Sequence, residues 1–166
     1  ARLATRHLVR LGHQHIVHLA GNQNWLDGSV RLEGWREELL SSGLPVPEPV
    51  FGDWTGQSGY HAGVRMIKEG LPDAVFAASD LMALGMMRAF SEAGVRVPED
   101  VSVVGFDDHE FARQFSPPLT TVRQDFKALG LRCLEVLLSG SDDTHLREPI
   151  RPRLLVRLST CRKARP

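Results

Sequence analysis

The 166 residues carry 20 basic and 20 acidic side chains, a formal charge of zero, and 42% hydrophobic residues, enough for one substantial core and within the size of a single domain. Charge spread evenly along the chain gives no concentrated positive field, so this segment by itself is not expected to grip DNA. No run approaches the roughly 18 apolar residues that cross a bilayer, and no apolar block of a secretion signal opens the chain. With Cys133 and Cys161 read as reduced thiols, a soluble, cytoplasmic protein without a membrane partner is expected.

The chain opens at Ala1 inside a helical pattern (Leu3, Ala4, His7, Leu8, Leu11) with no N-cap before it, which reads as a fragment of a longer protein. That helix stops at Gly12, and 15–20 form a short apolar strand closed by Gly21 and Asn22. Spacing predicts a helix over 30–40 with Leu32, Trp35, Leu39 and Leu40 on one side, then a weak strand over 49–51. A helix over 58–68 ends at Gly70 and Pro72. The run 74–78, small and β-branched, suits a strand buried on both faces.

Residues 81–92 are helical and apolar nearly all round, Gly94 caps them, and 101–106 are a second near-continuous apolar strand. An irregular stretch through Pro117 and Pro118 leads to a short strand over 119–122. A helix over 126–138, with Cys133 at one of its apolar positions, a polar loop over 139–144 and a last strand over 154–158 complete the chain. Strands that alternate with helices return through crossovers. The predicted fold is α/β, a doubly wound parallel sheet sandwich.

In open parallel sheets the ligand crevice lies outside the carboxyl ends of the strands, where helix N-termini direct partial positive charge. Three predicted tips carry polar residues: Gly21 and Asn22, Ser79 and Asp80, Asp107 and Asp108. A carboxylate there can accept two hydrogen bonds from neighbouring hydroxyls, which suits a polyol. Asp80 reads equally as an N-cap of the following helix. Asp107 and Asp108 point to opposite faces, so at most one enters the crevice, and Asp107 is favoured. Trp54 follows a weak strand without a core slot, and its ring either stacks on a sugar or packs inward. Arg31 either reaches the crevice or stays a solvated helix charge.

His13, His15 and His18 lack partners at ligand spacing and are explained by a strand edge, so no metal is expected. No nucleophile elbow, phosphate-binding loop or zinc-protease motif occurs, so neither an enzyme nor a cofactor is expected.

Five blocks occur together: Leu11-Gly12-His13 running to Ala20-Gly21; Arg31-Leu32 with Gly34-Trp35; Ala78-Ser79-Asp80 with Met82-Ala83-Leu84-Gly85; Gly94 with Val97-Pro98 and Asp100 through Asp108; and Pro118-Leu119-Thr120-Thr121-Val122 with Gln124. In order and spacing they resemble the LacI/GalR family of transcription regulators over nearly the whole chain. Trp54 and Gln124-Asp125-Phe126 look closest to its lactose-repressor branch.

The resemblance implies a type I periplasmic-binding-protein-like core of two subdomains with a small-molecule effector between them, a sugar of galactoside-like character. Operator DNA would be read by a headpiece absent from this chain, and effector binding would shift the two subdomains and so operator affinity. On this reading 1–123 are the C-terminal subdomain, and 124–166 are a crossover helix and terminal strand returning between subdomains. Most of the N-terminal subdomain is absent.

Carried over residue by residue, Arg31, Trp54, Ser79, Asp107, Gln124 and Phe126 are the expected effector contacts. Ser79 departs from the pattern, which most often has Asn. Leu81, Leu84, Met87, Phe111 and Phe115 are the expected homodimer surface, the alternative for that apolar helix being central burial.

Three rival readings remain at this point. They are a sugar-binding protein of a transport system on the same core, a phospho-acceptor receiver domain, and a sugar-modifying enzyme with Asp107 as base. The second lacks a Lys at a later strand end, and the third lacks an acid partner.

Overall fold

A computed structural model describes residues 1–139 and 149–163, so the polar loop expected over 139–144 lies, beyond Ser139, outside the described residues. In chain order come α1 (Arg2–Arg10), β1 (Ile16–Ala20), α2 (Leu26–Ser41), β2 (Val50–Phe51), α3 (Gly56–Glu69), β3 (Ala74–Ala77), α4 (Asp80–Glu92) and β4 (Ser102–Phe106). A 3-10 turn (Glu110–Gln114), β5 (Thr120–Arg123), α5 (Phe126–Ser139) and β6 (Arg153–Leu155) follow. The sheet order is β2-β1-β3-β4-β5-β6. Its first four pairings are parallel and the last, β5 with β6, is antiparallel.

Side chains alternate across each strand and thereby sort the core into two layers. Ile16, Ala74, Phe76, Val104 and Phe106 pack against Ala4 and Leu8 of α1 and Trp35 and Leu39 of α2. Val17, Leu19, Val75, Ala77 and Val103 pack against Ala62 and Met66 of α3 and Met82, Met86 and Phe90 of α4. Both faces are therefore covered, which is why these strands read as unbroken apolar runs. The doubly wound α/β sandwich expected from the sequence is the observed architecture.

Two expectations need correction. First, β1 is an interior strand, paired on both sides, so no strand edge explains its histidine. His18 is fully buried, stacked on Phe76 at 4.6 Å between ring centroids and 5.6 Å from Trp35. Burial lowers its pKa to about 3, against a hydrogen-bonding contact of 2.8 Å from Nδ1 to the Phe76 carbonyl.

Second, the last strand is Arg153–Leu155 rather than 154–158. Beyond it the backbone is bound by a side chain and a loop carbonyl instead of a ladder: Arg157 N–H donates to Thr120 Oγ1 at 2.9 Å, and Leu158 N–H to the Pro118 carbonyl at 3.1 Å.

The apolar residues of α4 fall into two groups. Its inner side fills the core through Met82, Met86 and Phe90, and it also buries Met87, while Leu81 and Leu84 remain part-exposed. Phe115 is likewise buried in the same cluster, with Phe111 packed partly against it. α5 shows solvent its apolar side chains, Phe126, Leu129, Leu131, Leu134, Leu137 and Leu138, and Cys133 is exposed.

Candidate functional site

The carboxyl ends of β1, β3 and β4 meet around a cavity of about 250 Å3 lined by Trp25, Asp27, Arg31, Trp54, Ser79, Leu81, Asp107 and His109. Each strand delivers its tip because the parallel register sets Val17, Val75 and Val103 side by side, so the three chains leave the sheet together.

Arg31, on the first turns of α2, is buried and held from several sides. Its Nη1 donates to the Ala78 carbonyl at 2.5 Å, and Nη2 lies 3.3 Å from Asp27 Oδ1 and 3.5 Å from Asp107 Oδ1. The guanidinium stands 3.9 Å from the Phe106 ring centroid and 5.4 Å from that of Trp54. Two cation–π contacts brace the fork, and its Nη2 faces Asp107. The solvated-charge reading of Arg31 is thus excluded.

Trp54 adopts φ +75 and lies against Gly21, where a Cβ would stand 2.2 Å from ring atom Cζ2. Only glycine leaves that space, so the strand-end glycine serves as the seat of the indole. Trp54 also packs on the inner core, and its buried Nε1–H has no acceptor among the described residues. Trp54 thus packs on the core and also lines the cavity.

Ser79, not Asp80, caps α4: Ser79 Oγ accepts from Met82 N–H at 3.2 Å. Asp80 is the first helical residue and turns beneath the β4 tip. Its Oδ1 accepts from Thr121 Oγ1 at 2.6 Å and its Oδ2 from His109 N–H at 2.8 Å. The absent Cβ of Gly105 makes room, since a methyl there would sit 2.2 Å from Oδ1. Burial raises the Asp80 pKa to about 6, helped by the charge of Asp107 and opposed by both hydrogen bonds.

The acidic pair divides as a strand end requires. Asp107, at φ +106, lines the cavity, and burial raises its pKa against the pull of Arg31. Asp108, at φ +51, turns to Arg157 Nη2 at 2.5 Å and Arg123 Nε at 2.6 Å. Burial alone would raise Asp108, but these two guanidinium groups hold its pKa below the ordinary carboxylate value.

Of the six expected effector contacts, the structure brings together Arg31, Trp54, Ser79 and Asp107. Gln124 and Phe126 line a separate hollow of about 260 Å3 at the start of α5, with Leu129 and Pro149. The reason is local: β5 carries the chain past the β4 tip before α5 begins.

Sequence reasoning missed Trp25, Asp27 and His109 and assigned Leu81 only to a dimer surface. Their signal was available, since Trp25 and Asp27 fall in the segment after the β1 tip and His109 directly follows the acidic pair.

A periplasmic binding protein-like domain model matches residues 5–160. The chain is 45% identical over 142 residues to the lactose operon repressor of Escherichia coli (strain K12), covering 84% of this chain and 39% of that protein. It is similar to a lac repressor dimer bound to operator and the anti-inducer ONPF, with TM-score 0.88, 39% identity, and 96% and 49% of the two chains covered. A complex of the transcriptional regulator CelR with cellobiose matches with TM-score 0.82, 38% identity, and 95% and 50% covered. The chain spans at most about half the length of the curated relatives it matches. The chain belongs to the periplasmic binding protein-like domain family, and in sequence and fold it is similar to lac repressors and related transcription regulators.

Proposed function

We propose that this chain is the effector-sensing portion of a sugar-responsive transcription repressor. Residues 1–123 would form the C-terminal subdomain of the core, and 124–166 the crossover between its two subdomains. The observation that carries the reading is the buried Arg31 beside Asp107, 3.5 Å apart, with Trp54 and Ser79 on the same cavity. A fixed donor fork and a carboxylate acceptor next to a flat ring match the hydroxyls and C–H face of a sugar.

Gln124 and Phe126 join the same ligand, on this reading, from the side where α5 begins, as the subdomains close. Leu81, Leu84 and Phe111 are the members of the expected dimer surface with area left to offer a second copy, whereas Met87 and Phe115 are used by this chain's own core. Operator DNA is contacted through a headpiece beyond these residues, and effector binding changes operator affinity by favouring one arrangement of the subdomains. The relatives described above are lac repressors and a transcriptional regulator, which favours regulation in the cytoplasm over the transport reading; no described helix is long and apolar enough to cross a membrane. The reading assigns no catalytic step.

The test is calorimetric titration of the protein expressed from its own gene with galactose, glucose, lactose and cellobiose, then operator binding with and without any sugar that binds. Saturable binding that shifts DNA affinity supports the proposal. Sugar binding with no DNA recognition returns the transport reading, and no sugar binding removes both.

A further inference from the structure

Residues 157–163 run from β6 past the starts of β5 and β4 to the turn after α1, and none of them belongs to either apolar cluster. Polar contacts fasten them instead. The Arg157 and Leu158 amides bind Thr120 Oγ1 and the Pro118 carbonyl. Ser159 Oγ donates to the Val103 carbonyl at 2.6 Å, and the Ser159 carbonyl accepts from Val103 N–H at 2.7 Å. Cys161 N–H donates to Ser102 Oγ at 3.1 Å, and Lys163 N–H to the Leu11 carbonyl at 3.0 Å. A strap held without apolar burial opens at a lower cost than the core beneath it.

One of the fastenings is a histidine at the end of the sheet remote from the cavity. His13, 4% exposed, places Nε2 3.0 Å from the Cys161 carbonyl. A carbonyl only accepts, so Nε2 carries the hydrogen and the lone pair of the neutral ring lies on Nδ1. That atom is buried and has no partner among the described residues. A proton added there makes an N–H with nothing to meet and a charge out of water, unless the ring comes out to solvent. Burial lowers the His13 pKa, helped by the charge of Lys163 and opposed by the Cys161 hydrogen bond and by Asp73.

The ionisable neighbours do not relieve this. Asp73 is engaged by Lys163 Nζ at 2.6 Å and by the amides of Gln14 and His15, and Asp100 by Arg96 at 2.6 Å. Glu99, Arg162 and the Cys161 thiol, which donates to the Pro98 carbonyl, line the same hollow without reaching Nδ1. His7 also meets the strap, its Nε2 3.0 Å from Thr160 Oγ1. A hydroxyl accepts as readily as it donates, so a protonated His7 keeps that contact, whereas a protonated His13 gains an unmatched donor.

We propose that residues 157–163 are an acid-released strap latched by His13: closed while the ring is neutral, open once Nδ1 takes up a proton. Opening draws Arg157 away from Asp108 and the Leu119 carbonyl, leaving Arg123 as the guanidinium on Asp108. The device thereby links one end of the sheet to the acidic tip at the other, and it depends neither on the sugar reading nor on any residue lining the cavity. The open strap binds the proton with the ordinary histidine value of 6.5 and the closed strap binds it less tightly, so opening is favoured as pH falls below 6.5.

The test is hydrogen exchange of the natural protein, His13→Gln and His7→Gln at pH 7.5 and 5.5, corrected for intrinsic rates and read at the amides of 157–163 and of α4. Strap amides are expected to exchange faster than those of α4, and in the natural protein to lose protection about 5- to 10-fold over that interval, the effect of one proton. His13→Gln, whose amide can donate to the Cys161 carbonyl without titrating, should keep its protection, and His7→Gln should respond as the natural protein does. A strap that exchanges no faster than α4, a natural protein whose strap protection changes less than about twofold, or a loss that persists in His13→Gln overturns the proposal. The His13 ring resonance of the natural protein gives a readout that needs no variant to fold. Its protonation should coincide with the loss of strap protection, and a ring that titrates while the strap stays protected overturns the proposal as well.

Discussion

Replacing Asp80 by asparagine separates the charge of this residue from its shape. The ordinary carboxylate value of 3.8 is raised by burial to about 6 in the folded chain, and at about 1.36 kcal/mol per pH unit the difference is worth about 3 kcal/mol. The sign follows from proton binding: the folded state holds this proton more tightly than the unfolded state, so the Asp80 contribution is favourable below about pH 4 and is lost as pH rises to about 6. The Asp80→Asn variant would keep both partners, the new side-chain carbonyl accepting from His109 N–H and the new amide donating to the rotatable Thr121 hydroxyl. The expected result is that Asp80→Asn gains about 3 kcal/mol on the natural chain between pH 4 and pH 7.5. Urea unfolding of both proteins across that window measures it, and in the difference the carboxylates held near 2, Asp53, Asp73 and Asp100, cancel. A stability difference that stays flat with pH, or slopes the other way, refutes the reasoning. Asp80→Ala is the control: it orphans the buried Thr121 hydroxyl and should lie about 1–3 kcal/mol below Asp80→Asn at every pH.

His18 works in the opposite sense. Its pKa, lowered to about 3 by burial, makes stability complete above about 6.5 and removes about 1.4 kcal/mol per pH unit as pH falls from there; His18→Phe should flatten that slope in urea titrations at pH 7.5 and 5.5. Asp108→Ala strips the partner from Arg157, whose side chain is largely enclosed, and should cost about 2–4 kcal/mol in the unfolding midpoint; an unchanged midpoint contradicts the clamp. Arg31→Lys retains charge but loses the fork, so on the proposed function effector affinity should fall at least about tenfold by calorimetry, and equal affinity removes Arg31 from the site.

The alternation of elements was legible because strands covered on both faces need apolar residues without a break, and β1, β3 and β4 supply them. Arg31, Trp54, Ser79 and Asp107 were legible because parallel strands end together, so the residues just past each apolar run share a neighbourhood. What stayed hidden depends on partners far apart in sequence. Asp80 reads as a cap until Thr121 and His109 claim its oxygens. The strand expected to reach residue 158 ends at Leu155 because the Thr120 hydroxyl and the Pro118 carbonyl bind the backbone beyond it. Gln124 and Phe126 match a motif whose members need not share one hollow, and periodicity gives no sign of which side of β5 they occupy. Trp25 carries a strand-tip signal, but an aromatic in a polar loop fits no apolar period.

Strain explains why these tips look as they do. Among the described residues, three other than glycine have positive φ, Trp54, Asp107 and Asp108; the first two line the cavity and the third adjoins it. Such conformations cost about 1–3 kcal/mol each and persist only where surroundings enforce them. Here they are enforced separately: Trp54 sits in the space left by Gly21, Asp107 N–H donates to the Val122 carbonyl at 2.9 Å, and Asp108 is gripped by Arg123 and Arg157. Asp80 then ties the loop after β4 to β5 from below. The groups facing the cavity are consequently positioned by the sheet, and a ligand that meets Arg31 and Asp107 need not order them.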